Sequence, residues 1–257
     1  MNHSLTDIVQ PAYPPHDHTR VTPPIGTYAM AVLVGAVVLF VGGFAMLGRD
    51  AAFALSASLA AYFAATFWLG RLMMRDFPHG SLGLCNIVTL ARLVIVGVLF
   101  AALLAGLPAT WLTLGLAIFA LSLDGIDGWL ARKQGLASAF GARFDVEVDA
   151  AFALLLAVSA AVNGAAAPYV VLLGLPYYLF GIANIYAPWL DQPLPESFSR
   201  KVVCVFQIAA LIALQVPFLA DGQLNFVIAA VTAALLWSFG RDTIWLWREA
   251  ATRVASR

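Results

Sequence analysis

Charge is scarce in this chain of 257 residues: only 11% are Asp, Glu, Lys or Arg, where a soluble domain carries about 25%. That shortage excludes an ordinary water-soluble globule. The 14 basic and 14 acidic side chains cancel, so nothing in the charge balance points to nucleic acid. Cysteine is nearly missing too. Cys85 and Cys204 stand far apart at the starts of apolar segments, without zinc or redox spacing, and read as inert thiols. Of the four histidines, His16 and His18 flank Asp17 in a polar stretch, and two histidines in such a tail do not define a metal site. Residues 1–26 lack a basic region followed by an apolar run and so do not read as a signal peptide. Pro11, Pro14, Pro15, Pro23 and Pro24 make them a polar, disordered cytoplasmic tail.

What the chain has is hydrocarbon, 62% of its residues. A helix that crosses a bilayer needs about 20 mostly apolar residues. Eight such runs are legible: 27–47, 52–70, 86–106, 109–130, 144–163, 168–188, 202–220 and 224–246. Gly48, Pro108, Gly164, Pro168 and Gly222 punctuate the short connections. The expected fold class is an all-α polytopic membrane protein with about 8 transmembrane helices. Residues 71–85 mix Leu, Met and Phe with Arg71, Arg75 and Asp76 and read as an interfacial segment, with a short surface helix as one form for it. The polar residues are concentrated after this point. The domain reading is therefore a tail (1–26), two extra transmembrane helices (27–70), the interfacial segment (71–85) and a six-helix core (86–257).

Basic residues orient the chain. With both termini and the loops around 71–85, 131–143 and 189–201 on the cytoplasmic side, that side gathers Arg20, Arg71, Arg75, Arg132, Lys133, Arg143, Arg200, Lys201, Arg241, Arg248, Arg253 and Arg257. Only Arg49 faces the other way. The expected location is a bacterial-type inner (plasma) membrane. Trp111, Trp189, Trp245 and Trp247 read as an interfacial belt.

Against this background the run from Asp124 to Asp149 is anomalous, with four aspartates and a glutamate in 26 residues. A carboxylate in hydrocarbon costs roughly 2.5–3.5 kcal/mol on insertion scales, so such a cluster implies a function. Asp124 and Asp127 are three apart near the end of one helix; Asp145 and Asp149 are four apart near the start of the next. Each pair shares a helical face, and a short turn between antiparallel helices can aim the pairs at each other. Converging carboxylates demand cations, and hard oxygen donors without His or Cys favour Mg²⁺ or Mn²⁺, with Ca²⁺ possible. Four such ligands can hold two divalent cations about 3.5–4 Å apart, an arrangement suited to displacement at phosphorus. Gly125, Gly128 and Gly141 let a ligand or another backbone come close, although glycine also serves helix packing in membranes.

The pattern Asp-x2-Asp-Gly-x2-Ala-Arg-x8-Gly-x3-Asp-x3-Asp is met by Asp124, Asp127, Gly128, Ala131, Arg132, Gly141, Asp145 and Asp149. It resembles the signature of the CDP-alcohol phosphotransferases (CDP-alcohol phosphatidyltransferases), and the stretch Asn86-Ile-Val-Thr-Leu-Ala-Arg92 resembles that family's first core helix. The resemblance covers about 86–246 and leaves out the first two helices. It implies transfer of a phosphatidyl group from a CDP-alcohol, usually CDP-diacylglycerol, to an alcohol acceptor with loss of CMP, in phospholipid biosynthesis. It further implies that Asp124, Asp127, Asp145 and Asp149 hold two divalent cations, Mg²⁺ or Mn²⁺, and that Asp149 doubles as the general base. Gly128, Ala131, Arg132 and Gly141 would then form the nucleotide and phosphate site. A homodimer in the lipid bilayer is implied in the same way.

Other residues stay divided between roles. Arg92 can pair with an aspartate or grip substrate phosphate; Asn86 and Thr89 can contact nucleotide or cap a helix. Glu147 lies on a different face from its neighbouring aspartates, solvated, paired with a basic residue, or selecting the acceptor. Arg143, Arg200 and Lys201 are positive-inside anchors or a basic rim for a phosphorylated polyol such as glycerol phosphate or inositol phosphate. Where members that make phosphatidylglycerol phosphate often carry Pro and Lys after the third and fourth aspartates, this chain has Val146 and Ala150. Cys85 replaces a Pro common before the Asn. These departures spare every metal ligand and leave the acceptor open. The competing readings are a cation-coupled transporter, for which Ala131-Arg132 and the glycines serve no purpose, and an inactive family member.

Overall fold

The structure is a computed structural model describing residues 22–187, 198–217 and 224–255, without the side chains of 198, 200, 201 and 250–255. The expected tail, with His16 and His18, falls outside the described residues except for its last few positions. Every regular element among the described residues is helical: α1 (Ile25–Leu47), α2 (Ala52–Asp76), α3 (Gly83–Leu104), α4 (Trp111–Gln134), α5 (Ala139–Val162), α6 (Pro176–Tyr186), α7 (Phe198–Ala213) and α8 (Asn225–Ala255). Among the described residues, five helical stretches are long and apolar enough to cross a membrane: α1, α2 with the turn before it, α3, α4 and most of α8. The first turns of α5 carry Arg143, Asp145, Glu147 and Asp149, which keeps it out of that set.

Three sequence expectations change. No separate helix occupies 71–85, because α2 continues through Arg71 and Arg75 to Asp76. Phe77 is extended there, as expected for a residue before proline, and ends the helix ahead of Pro78. The expected helix over 168–188 is broken. A 3-10 turn fills Pro168–Leu173, and α6 restarts at Pro176, where a proline suits a first helical turn. α7 begins at Phe198 and stops at Ala213, short of the expected 220. Cys85 is buried, Cys204 exposed, and neither forms a disulfide.

Helix α3 is the hub, touching α1, α2, α4 and α5. Its contacts with the N-terminal pair are close because Gly97 has no side chain: a Cβ there would lie 2.5 Å from Leu39 Cδ1. Ser58 donates to the Gly97 carbonyl at 2.6 Å, and the Tyr28 and Tyr62 hydroxyls donate to the carbonyls of Thr66 and Val32. Buried hydroxyls in apolar helices are thus satisfied across helix boundaries, as the absence of water requires.

The turn between α4 and α5 is tightly specified. Gly135 takes the left-handed conformation (φ 65°) and ends α4, with Leu136 N–H returning to the Ala131 carbonyl at 3.1 Å. Ser138 then caps α5 by accepting from Gly141 N–H at 3.1 Å. Gln134, at the end of α4, accepts from Leu84 N–H at 3.1 Å and ties the turn to the start of α3.

Candidate active site

The α4–α5 hairpin turns Asp124 and Asp127 toward Asp145 and Asp149, as their spacings allow. Carboxylate oxygens of Asp124, Asp127 and Asp145 all lie within 4.8 Å of one another. Arg92 enters from α3 and sits among all four. Its Nη1 lies 2.9 Å from Asp124 Oδ1, 3.1 Å from Asp127 Oδ2 and 2.6 Å from Asp145 Oδ1, while Nη2 meets Asp149 Oδ1. The arginine is 2% exposed. Of its two expected roles, pairing with aspartate is the one present here, with all four carboxylates instead of one.

A single guanidinium cannot neutralise four carboxylates, so the cluster keeps a negative excess at its centre. Asp127 is buried and takes a further contact from Thr89, whose Oγ1 lies 3.0 Å away and also 3.1 Å from the Cys85 carbonyl. The other three aspartates are partly open, with 36–43% of their side-chain surface accessible. Hard oxygen donors, close convergence, partial access and excess negative charge together fit divalent cations.

Beside the cluster lies a cleft of about 240 Å³ lined by Asn86, Thr89, Asp127, Gly128, Ala131, Arg132, Ser138, Gly141 and Asp145, among others. All the residues expected at the nucleotide and phosphate site meet here except Arg92, which sits among the aspartates. Asn86 has its amide fixed by donation to the Leu82 carbonyl at 2.6 Å. Gly141 is needed for space: a Cβ would stand 3.3 Å from Ser138 Oγ and 3.5 Å from Asn86 Oδ1. At Gly128 the nearest atom to a Cβ is Arg132 Nη1 at 3.6 Å, and at Gly125 nothing lies within 4 Å. Gly125 therefore stands apart from the cleft.

Of the expected basic rim, Arg143 alone has a described side chain. Arg143 packs over the Trp68 ring at 5.5 Å and lies 3.9 Å from Glu147, away from the four aspartates. The side chains of Arg200 and Lys201 fall outside the described residues. Glu147 has the basic partner that was one of its expected alternatives, Arg143, and also accepts from the Tyr177 hydroxyl at 2.5 Å. Tyr177, Gln134 and Ser138 escape sequence reasoning. Ser138 is the one with a local signal, a Ser immediately before a helix, whereas Tyr177 has none.

Apolar helices surrounding a carboxylate cluster, with an arginine and two glycines in the adjoining cleft, define an integral-membrane protein built around an acidic site. The model of the CDP-alcohol phosphatidyltransferase family matches residues 82–239, more than half of the chain, and the protein belongs to that family. No curated protein and no solved structure gives a significant match. Membership supports phosphatidyl transfer from a CDP-alcohol to an alcohol acceptor in a membrane setting. The matched region leaves out α1 and α2, as the sequence resemblance does.

Proposed function

We propose that the protein transfers a phosphatidyl group from CDP-diacylglycerol to a small alcohol, releasing CMP, as a step in phospholipid biosynthesis. The observation that carries this reading is the contact between the cleft and the cluster: Asp127 and Asp145 line the cleft that Gly128, Ala131, Arg132 and Gly141 shape. The cleft takes the cytidine and its phosphates, and the donor's hydrocarbon remains in the bilayer. Arg132, at the cleft's edge, grips phosphate oxygens in a bidentate way. Asn86 and Thr89 complete the wall.

Asp124, Asp127, Asp145 and Asp149 are the residues that would hold two divalent cations, Mg²⁺ or Mn²⁺. Such ions supply polarisation of phosphoryl oxygens and neutralise charge on the leaving group. Asp149 has a second duty. It takes the proton from the acceptor hydroxyl as that oxygen bonds to the lipid-side phosphorus. The phosphoanhydride bond to the nucleotide breaks, and CMP carries away the electron pair. Arg92 holds the carboxylates in place and limits their repulsion.

For the acceptor, a phosphorylated polyol rests on Arg200 and Lys201 in the first turn of α7, now without Arg143. The cytoplasmic orientation of the site, the bacterial-type inner membrane and a homodimer belong to the same reading. The test is CMP release from CDP-diacylglycerol by purified protein with Mg²⁺ or Mn²⁺ across a panel of acceptors. We expect CMP with at least one acceptor and none after chelation; no CMP with any acceptor overturns the proposal.

A further inference from the structure

A second cavity, of about 330 Å³, opens on Asp149 and takes no part in the nucleotide cleft. Its walls come from α5 (Val146, Asp149, Ala150, Ala153), from Gly174 in the break before α6, and from α6 (with Pro176), α7 and α8. Tyr177 and Phe180 form the α6 wall, and Phe180 meets Phe239 of α8 edge to face at 6.4 Å.

Helix α6 is poorly anchored for a wall. It has 11 residues, none of them buried, and it follows a break in the chain. Close packing holds the break itself, since a Cβ on Gly174 would come within 2.5 Å of Leu154 Cα. Beyond that, Tyr177 reaches back to α5 and donates to Glu147 Oε1 at 2.5 Å. A phenol that donates to a carboxylate makes a strong, charge-assisted hydrogen bond. Glu147 is itself steadied by Arg143, which packs on Trp68 of α2. The Tyr177 ring is therefore fixed in position beside the carboxylate proposed to activate the acceptor.

We infer that Tyr177, pinned by Glu147, is a specificity-determining residue that sets the size of the acceptor alcohol admitted to Asp149. Tyr177 limits the cavity, and Glu147 acts through it as a positioning residue. The inference rests on the phosphatidyl-transfer reading for its substrate and on geometry for the wall. It gives Glu147, which sits between the third and fourth aspartates without joining them, a role that its position in the motif does not supply.

The test compares Tyr177→Ala, Tyr177→Phe and Glu147→Ala with the unmodified protein, using glycerol 3-phosphate, inositol 1-phosphate and phosphatidylglycerol as acceptors of rising size. Truncating the ring should shift the kcat/KM ratio toward larger acceptors by about tenfold, in line with loss of a shaped contact. Tyr177→Phe and Glu147→Ala, which keep the ring but free it, should give the same shift at smaller size, with the KM for CDP-diacylglycerol unchanged. An equal fall in kcat for all acceptors, with the ratios preserved, overturns the inference. A measurement without turnover separates this from failure of the enzyme reading. With the exposed Cys204 changed to Ser and a cysteine placed at buried Ala153 on the same cavity's wall (Ala153→Cys), Tyr177→Ala should speed modification of the new thiol by a bulky maleimide more than by N-methylmaleimide. Equal acceleration by both reagents, or none, overturns the wall.

Discussion

Arg92 Nη1 of α3 lies 2.6 Å from Asp145 Oδ1 of α5, a contact that joins residues 53 positions apart in the chain at the centre of the bundle. The same guanidinium touches the other three aspartates, so Arg92 is the fixed cation of a site that needs more positive charge than it supplies. Removing one partner of a buried ion pair costs about 3–5 kcal/mol. Arg92→Met should lower the unfolding temperature in detergent sharply in metal-free buffer, and added Mn²⁺ should recover much of the loss. Equal losses with and without the ion would mean that the cluster does not bind it.

Asp127 and Asp149 should separate on mutation. Asp127 is buried, contacts Thr89 and lines the nucleotide cleft; Asp149 is the most accessible of the four and opens on the second cavity. Asp149→Asn should abolish CMP release while CDP-diacylglycerol binding stays measurable by calorimetry. Asp127→Asn should weaken that binding itself. Retained turnover in Asp149→Asn removes this residue as the base.

The glycines divide in the same way. Gly141→Val places methyl groups against Asn86 and Ser138 and should raise the KM for the CDP-alcohol at least tenfold. Gly125→Ala meets no atom within 4 Å and should leave kinetics unchanged. It should also stabilise α4 by up to about 1 kcal/mol, the helix-propensity gain over glycine. Kinetics and thermal unfolding on the two variants decide the matter.

The N-terminal pair depends on Gly97 and Ser58. Ser58→Ala removes one hydrogen bond and should cost about 0.6 kcal/mol, the average for such bonds between membrane helices. Gly97→Val collides with Leu39 and should cost about 1–3 kcal/mol as overpacking. Thermal unfolding of both variants, with α1–α2 proteolysis as a local probe, would show whether the pair detaches.

The acidic hairpin was legible because fixed spacings translate directly into helix faces: three or four residues between aspartates admit few geometries. Most helix positions followed from the apolar runs to within a few residues. The sixth helix was expected over 168–188 because that run is mostly apolar, although Gly174 and Pro176 inside it are helix-breaking residues; what holds the break, Gly174 packed against the α5 backbone, is tertiary. The role of Arg92 was half legible, for its depth demanded anionic partners while their number depended on where α4 and α5 converge. The partner that Arg143 has in the fold was not legible either, since Trp68, whose ring it covers, lies 75 positions earlier. Tyr177 carried no signal, as its partner Glu147 lies across a tertiary interface.

The close-capped turn at Gly135–Ser138 bears on how the protein is made. Arg92 leaves the ribosome before the four aspartates, and neither the arginine helix nor the acidic hairpin is cheap to place in lipid by itself. The capped turn sets α4 and α5 antiparallel, and α3, which packs on both, carries the already synthesised cation between their carboxylate pairs. The first three core helices, α3 to α5, should therefore leave the translocon as one unit, held at its lateral exit until the ion cluster closes.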